Sequence, residues 1–416
     1  MEENVKLTQR GVLQPYRVLD LTDNKGYFCS KILAELGADV IKIEPPGVNL
    51  SIEKGPYYHG KYGLERSLLW MAFNTSKRCI SLNLGLTQGQ EIFRQLVKTS
   101  HFVIESLPPG HMDDKGLGYN VLSELNPQII MTSITPFGQS GPYRDYNDGD
   151  LVVSALSGFS YLSGDQDRAP LRFSVEQSSV QAGSQAAMAI LIAHHYRQLS
   201  GEGQYIDVSM HECMALCTWV QKPEWAYLKN MYRRQGVRQF RSHASARVIW
   251  PCRDGYVAWR IWTGGESHFT EAFINYMNSE GMGQELAGVK FGISYDEVTQ
   301  ELIENWERPI GEFMLRHTKS ELVDAALKWG FTLYPVNTPE DLLDNNQLKA
   351  RDYWVEVEYP DFGVSVSYPG APFKSTAPMW QISHNAPLIG EHNKEIYTEL
   401  GLSLENIAEL MRNNVI

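Results

Sequence analysis

The sequence predicts an α/β protein with a doubly wound parallel sheet and a smaller second domain. Three observations carry this. Short apolar runs alternate with single amphipathic helices through the first half of the chain, and glycine–proline loops follow several of the strand ends. The texture then shifts towards Trp, Tyr and Arg after residue 220, which reads as a smaller α+β domain.

The elements follow in order. "YRVLDLT" (16–22) reads as a buried strand, and "YFCSKILAELG" (27–37) as a helix with apolar positions three and four apart, closed by Gly37. "ADVIKIEPP" (38–46) is the next strand, stopped by two prolines. The cycle repeats with "CISLNLG" (79–85) as strand, "GQEIFRQLVKTS" (89–100) as helix, "HFVIES" (101–106) as strand and "QIIMTSITPFG" (128–138) as another strand. Strands joined by single helices imply right-handed crossovers and a parallel sheet covered on both faces. Residues 179–199 form a long Ala-rich helix ended by Gly201 and Gly203, and "GQYIDVSMHECMA" supplies one more strand and helix. The expected division is 1–220 for the first part of the large domain, 221–330 for the small domain, and 331–416 for a linker and a return to the large domain. A strand pair is expected around "RVIWPCRDGYVAWRIW". The C-terminus reads as two short amphipathic helices. In the last of them Glu405 and Glu409 share the polar side, while Ile407, Leu410 and Met411 face inward.

Composition narrows the function. A net charge of −12 argues against nucleic acid or an anionic membrane as partner. No apolar run is long enough to span a bilayer, and the acidic start reads as carrying no signal peptide, so the expectation is a cytoplasmic protein. The five cysteines show no CxxC pair, and the adjacent His194 and His195 point to different sides of a helix, so no metal site is expected.

In a parallel sheet, ligands sit outside the carboxyl ends of the strands. The loops "DNKGYF" (23–28), "IEPPGVN" (43–49), "ESLPPGH" (105–111) and "PFGQSGPYRDY" (136–146) fall there, and none matches GxGxxG or the P-loop pattern. Taken together, "VLDLT…LAELGADVIKIEPPG", "FNTSKRCISLNL", "LGYNVLSELNPQIIMTSITPFGQSGPYRDY", "DLVVSALSGFSYLSG", "GEGQYIDVSMHE" and "APLIGEHNKEIYTELGLS" resemble the class III CoA-transferases along nearly the whole chain. The resemblance implies a Rossmann-like large domain formed by the N-terminal half and the C-terminal tail, a small domain between, and two chains interlocked as a dimer. It also implies an aspartate that attacks an acyl-CoA to form a mixed anhydride. Coenzyme A thioester would enter as substrate, with no tightly bound cofactor.

That aspartate opens the long helix in the family. Here the run is "PLRFSVEQSSVQAG" (170–183), and Ser179 occupies its position. A serine ester is too stable to regenerate a thioester, and no histidine stands nearby in sequence to activate the hydroxyl. Glu176 is the one substitute carboxylate in this run. The plain reading of Ser178 or Ser179 is a helix N-cap, with Ser178 and Gln181 as a capping box contributing about 1 kcal/mol.

By the same resemblance, Gly26, Lys77, Arg78 and Gly110 are the candidate CoA-binding positions, the two basic residues approaching phosphates. Other positions depart from the family. Lys25 and Tyr27 replace the neighbours of Gly26, Asp114 and Pro45 stand where arginines occur, and Thr135 stands where some members have lysine. Gly149 stands where the related racemases have their histidine. The "DLTDNKG" loop and the missing aspartate resemble the E-type subunit of succinyl-CoA:benzylsuccinate CoA-transferases, which implies a non-catalytic or regulatory chain that pairs with a homologous aspartate-bearing subunit. The alternatives are a self-sufficient transferase using Glu176 and a CoA-binding scaffold without turnover. The Trp, Tyr and Arg residues at 224–262 suit either an aromatic dicarboxylic acid or an interface surface.

Overall fold

The computed structural model describes residues 11–47, 55–61, 66–146, 149–241 and 243–416. The N-terminal residues 1–10 and the end of the 43–49 loop lie outside them. The chain divides into two compact units: residues 1–159, 173–228 and 347–416 form the larger, and residues 160–172 and 229–346 the smaller. The expected boundaries at 220 and 330 thus move to 228 and 346. A short segment, 160–172, also belongs with the smaller unit, which periodicity could not reveal because the segment has no regular pattern.

The larger unit is built on β1 (Arg17–Leu21), α1 (Tyr27–Glu35), β2 (Asp39–Glu44), α2 (Leu68–Phe73), β3 (Arg78–Ser81), α3 (Thr87–Lys98), β4 (Phe102–Glu105), α4 (His111–Asp114), α5 (Tyr119–Leu125), β5 (Ile130–Thr135), α6 (Asp150–Leu156), α7 (Ser178–Ser200), β6 (Gln204–Ser209) and α8 (Met210–Leu216). The strands form one parallel sheet in the order β3-β2-β1-β4-β5-β6. The winding reverses between β1 and β4, so their carboxyl ends mark the topological switch point.

Alternation along each strand supplies both faces of the sheet. Val18, Val40, Ile104 and Ile134 pack against Leu33 of α1 and Ala182, Ala186 and Ile190 of α7. Leu19, Ile41, Val103 and Met131 pack with Phe93 and Leu96 of α3 and Leu122 of α5. The small residues of α7 have a physical reason. A Cβ on Gly183 would come within 2.9 Å of Phe28 Cβ and 3.0 Å of Cys29 N, so α1 and α7 touch backbone to backbone there.

Beyond α9 (Gln221–Leu228), the smaller unit holds a β7 (Arg238–Arg241) and β8 (Ala244–Arg247) hairpin. Its three-stranded sheet joins β9 (Ile249–Cys252), β10 (Gly255–Ala258) and β11 (Tyr334–Pro335) in antiparallel order. Trp250, Trp259, Phe273 and Phe313 fill its core together with α10 (His268–Ser279), α11 (Gln300–Met314) and α12 (Lys319–Trp329). The aromatic texture of 224–262 is therefore divided. Trp250 and Trp259 are core residues, whereas Trp225 and Tyr227 on α9 are exposed.

The chain returns through α13 (Pro339–Asp344) and α14 (Asn346–Ala350). It then forms a hairpin of β12 (Trp354–Tyr359) and β13 (Val364–Pro369), followed by α15 (Asn393–Glu399) and α16 (Leu404–Arg412). Tyr397 donates to the Ser81 carbonyl at 2.5 Å, and Ile407 and Leu410 join the α3–α5 side of the large core. Met411 does not face inward as its spacing suggested. It is 47% exposed, because Val415 and Ile416 fold back to fill the space beside Leu410.

Leu410→Ala should cost about 2–5 kcal/mol in urea unfolding, the range for deleting a fully packed leucine. A cost below about 1 kcal/mol would show that α16 is not part of the cooperative core.

Candidate functional site

The site is built from the loops at the carboxyl ends of β1 to β4, which line a cleft of about 470 Å³. Its floor rests on a charge cluster at the end of β1. Asp20 is fully buried, and its Oδ1 accepts from Thr22 N at 2.9 Å and Thr22 Oγ1 at 2.6 Å. Lys77 Nζ reaches Asp20 Oδ2 at 3.2 Å, and Lys42 Nζ lies 3.9 Å from Oδ1 and 2.8 Å from Glu44 Oε1. Burial alone would raise the Asp20 carboxyl, but Lys42 and Lys77, with hydroxyl donors, hold it down at about 2. Burial has the largest effect on Lys77 and brings its ammonium down to about 8, even though Asp20 opposes it.

The cluster fixes the loop that follows β1. Lys42 Nζ donates to the Thr22 carbonyl at 2.6 Å. At the rim, Asp23 N donates to Ser106 Oγ at 2.8 Å and Ser106 Oγ donates to Asp23 Oδ1 at 2.8 Å, which ties the loops after β1 and β4 together at the switch point. Asn24, Pro45, Asn83, Leu107 and Lys115 also line the cleft. His111 lines it too; burial and then Lys115 lower its pKa, which favours the neutral imidazole.

The sequence-predicted binding residues fall in different places. Lys77 is fully buried, and besides Asp20 it donates to Ser30 Oγ at 2.7 Å and Asn74 Oδ1 at 2.8 Å. Its ammonium ties the end of β1 to α1 and to the turn before β3. Arg78 begins β3, at the amino edge of the sheet and away from the cleft. It bonds Asp39 at 2.6 Å, Glu395 at 2.7 Å and Glu399 at 2.9 Å, locking α15 to the sheet. Gly26 caps α1, and a Cβ there would lie 2.4 Å from Thr22 Cγ2, so its glycine requirement is steric. Gly110 has φ +81° and directs the chain from β4 into α4, and its N–H donates to Gln139 Oε1 at 3.3 Å. Asp114 is exposed on α4 and Thr135 is buried at the end of β5.

At the long helix, Ser179 sits in the first turn of α7, half-buried. Among the described residues its hydroxyl has no hydrogen-bond partner, and no base stands against it. The expected Ser178–Gln181 capping box is absent, for Gln177 is the N-cap and makes no side-chain cap bond. Asp150 Oδ1 caps the helix instead, accepting from Gln177 N at 2.9 Å, Ser178 N at 2.8 Å and Ser178 Oγ at 2.8 Å. A full negative charge satisfies two orphan amides better than a serine hydroxyl can. Glu176 is exposed, and Asn24 Nδ2 donates to its Oε2 at 3.2 Å, placing it beside a loop that lines the cleft.

A family model described as CoA-transferase family III matches residues 13–393. The chain belongs to CoA-transferase family III. It is 33% identical over 399 residues to the succinyl-CoA:(R)-benzylsuccinate CoA-transferase subunit BbsE of Thauera aromatica, covering 95% of this chain and 96% of that one. It is 29% identical over 407 residues to succinyl-CoA–D-citramalate CoA-transferase of Chloroflexus aurantiacus, covering 97% of this chain and 98% of that one. Its fold matches the crystal structure of a CaiB/BaiF family protein from Brucella suis with a TM-score of 0.81 and 26% identity, over 94% of this chain and all of that one. CoA thioesters are the substrates of family III enzymes.

Sequence reading missed Glu105, which ends β4 and lines a second cleft of about 320 Å³ with Ser133, Gln139, Arg144 and Tyr205. Tyr205 donates to Ser133 Oγ at 2.8 Å, and Glu105 Oε2 accepts from Leu107 N at 2.7 Å. Burial raises the Glu105 carboxyl from its ordinary 4.5 to about 7, with Ser133 and the Leu107 amide opposing. Because its folded pKa lies above the unfolded one, Glu105 supports the fold fully below pH 4.5, and that support is lost as pH rises through about 7. Glu105→Gln should therefore flatten the fall in urea-unfolding stability between pH 5 and 8, by roughly 3 kcal/mol at most. Identical slopes in the two proteins would show that the carboxyl titrates normally.

Proposed function

We propose that this chain is the non-catalytic or regulatory subunit of a heteromeric family III CoA-transferase. The enzyme moves CoA from an acyl-CoA, succinyl-CoA in this reading, to an organic acid such as benzylsuccinate. The catalytic aspartate is on a homologous partner chain, with which this one forms an interlocked dimer. The observation that carries the reading is Ser179, which stands in the first turn of α7 and whose hydroxyl makes no hydrogen bond among the described residues. A heteromer has two sites, so one chain can lose its nucleophile while the other turns over. The relative from Thauera aromatica, itself named as a subunit, supports the same arrangement.

In this reading the chain contributes scaffold and binding. The cleft at the ends of β1 to β4 receives the nucleotide end of a CoA thioester. Lys115 meets phosphate at the rim, while Gly110 lines the neighbouring cleft with Glu105 and Arg144. Lys77 acts by holding Asp20 and Asn74, and Arg78 acts by holding α15. The partner's carboxylate performs the acyl transfer.

One observation favours a second reading. The bond from Asn24 places the Glu176 carboxylate beside the cleft. If the chain works alone through Glu176, Glu176→Gln abolishes that activity. The deciding assay uses succinyl-CoA and benzylsuccinate with the purified chain, alone and mixed with an aspartate-bearing homologous subunit, and follows benzylsuccinyl-CoA by chromatography. Turnover is expected only in the mixture. Turnover by the single chain overturns the non-catalytic assignment, and no turnover in either case overturns the transferase reading.

A further inference from the structure

We infer that Asp150 is the positioning residue of the α7 site, fixing the direction in which side chain 179 leaves the helix whatever residue stands there. The inference deepens the reading above and rests on it. The chain between α6 and α7 leaves the larger unit at residue 160 and returns at 173, so the start of α7 has no short covalent tether to the rest of that unit. Asp150 supplies the tether. Its Oδ1 takes the amides of Gln177 and Ser178 and the Ser178 hydroxyl, all at 2.8–2.9 Å, across 27 and 28 residues of sequence. It is also the first residue of α6, and Val153 one turn on is buried against the same core as Ala182, so the carboxylate is held from behind. On the other side Asn24 bonds Glu176 at 3.2 Å, linking the approach to α7 to the β1 loop.

This arrangement fixes the first helical turn through the backbone of residues 177 and 178. Ser179 makes no part of it, since its hydroxyl has no hydrogen-bond partner among the described residues. The seat of the nucleophile is therefore kept while the nucleophile itself is gone. Ser179→Asp should fill that seat. Its carboxylate oxygen would attack the succinyl-CoA carbonyl, the C–S bond would break with CoA leaving as thiolate, and a mixed anhydride would form on the chain.

The experiment has two arms. The first is amide hydrogen exchange at Gln177 and Ser178 in the wild type, Asp150→Asn and Asp150→Ala. Asparagine keeps the accepting oxygen, so protection should survive in Asp150→Asn. It should fall by about tenfold or more in Asp150→Ala. The second is CoA thiol release from succinyl-CoA by Ser179→Asp, alone and combined with each Asp150 variant, with circular dichroism to confirm folding. Release and acylation of about one equivalent per chain are expected for Ser179→Asp and for its Asp150→Asn double variant, but not for the Asp150→Ala double variant. Equal exchange in all three proteins, equal acylation with Asp150→Ala, or a folded Ser179→Asp chain that does not acylate would each overturn the inference. The wild-type chain mixed with its aspartate-bearing partner is the control. If that mixture transfers CoA while these arms fail, the positioning role is wrong and the transferase reading stands. If the mixture is silent, the reading itself fails.

Discussion

The buried carboxylate of Asp20, set between Lys42 and Lys77, is the constraint on which the cleft depends. All three side chains are removed from water, so none can be charged without the others. The cost of burying them is offset only because every donor and acceptor is used. Thr22 bonds one oxygen of Asp20, Lys77 bonds the other, and Lys77 spends its remaining protons on Ser30 and Asn74. Those partners come from the β1 loop, α1 and the turn before β3. With Glu44 balancing the second lysine, this buried cluster is neutral and holds the β1 loop, α1 and the turn before β3 together, and the β1 loop in turn lines the cleft.

The same reasoning explains why Lys77 and Arg78, adjacent in sequence, do different things. Residue type alone suggests two phosphate-seeking cations. Lys77 stands at the entry to β3, fully buried, where Asp20, Ser30 and Asn74 take all three of its protons. Arg78, the first residue of β3, meets Asp39 of β2 and the two glutamates of α15. Both residues hold the frame in which a ligand would sit, and a basic pair in a motif does not reveal burial.

Much of the fold was legible because it is written in local periods. β1, β2, β4, α1, α3 and the long helix closed by Gly201 emerge within two residues of their expected bounds, whereas β3 and β5 end four and three residues earlier than expected and α2, α4 and α5 carried no clear period. Alternation within β1 separates Val18 from Leu19 onto opposite cores, as a sheet covered on both faces requires. What was illegible is non-local. Met411 has the spacing of a buried position, yet Val415 and Ile416 take its place. Ser178 has the spacing of a capping box, yet a carboxylate 28 residues away does the capping. Segment 160–172 has no periodicity at all, and only tertiary contact assigns it to the smaller unit. Glu105 reads as the polar end of a strand, and only burial makes its carboxyl unusual.

The separation of scaffold from chemistry follows from this pattern. Asp20, Gly183 and Asp150 are each bound by partners or by space, so changing any of them disturbs several segments at once. Position 179 is bound by nothing: it is half-buried, it makes no side-chain hydrogen bond among the described residues, and the cap beneath it uses only its neighbours. The side chain at 179 therefore contributes little to stability, while the buried charges and the α1–α7 contact hold the site in shape. What the buried interactions maintain is the frame around position 179, independent of the residue that stands there.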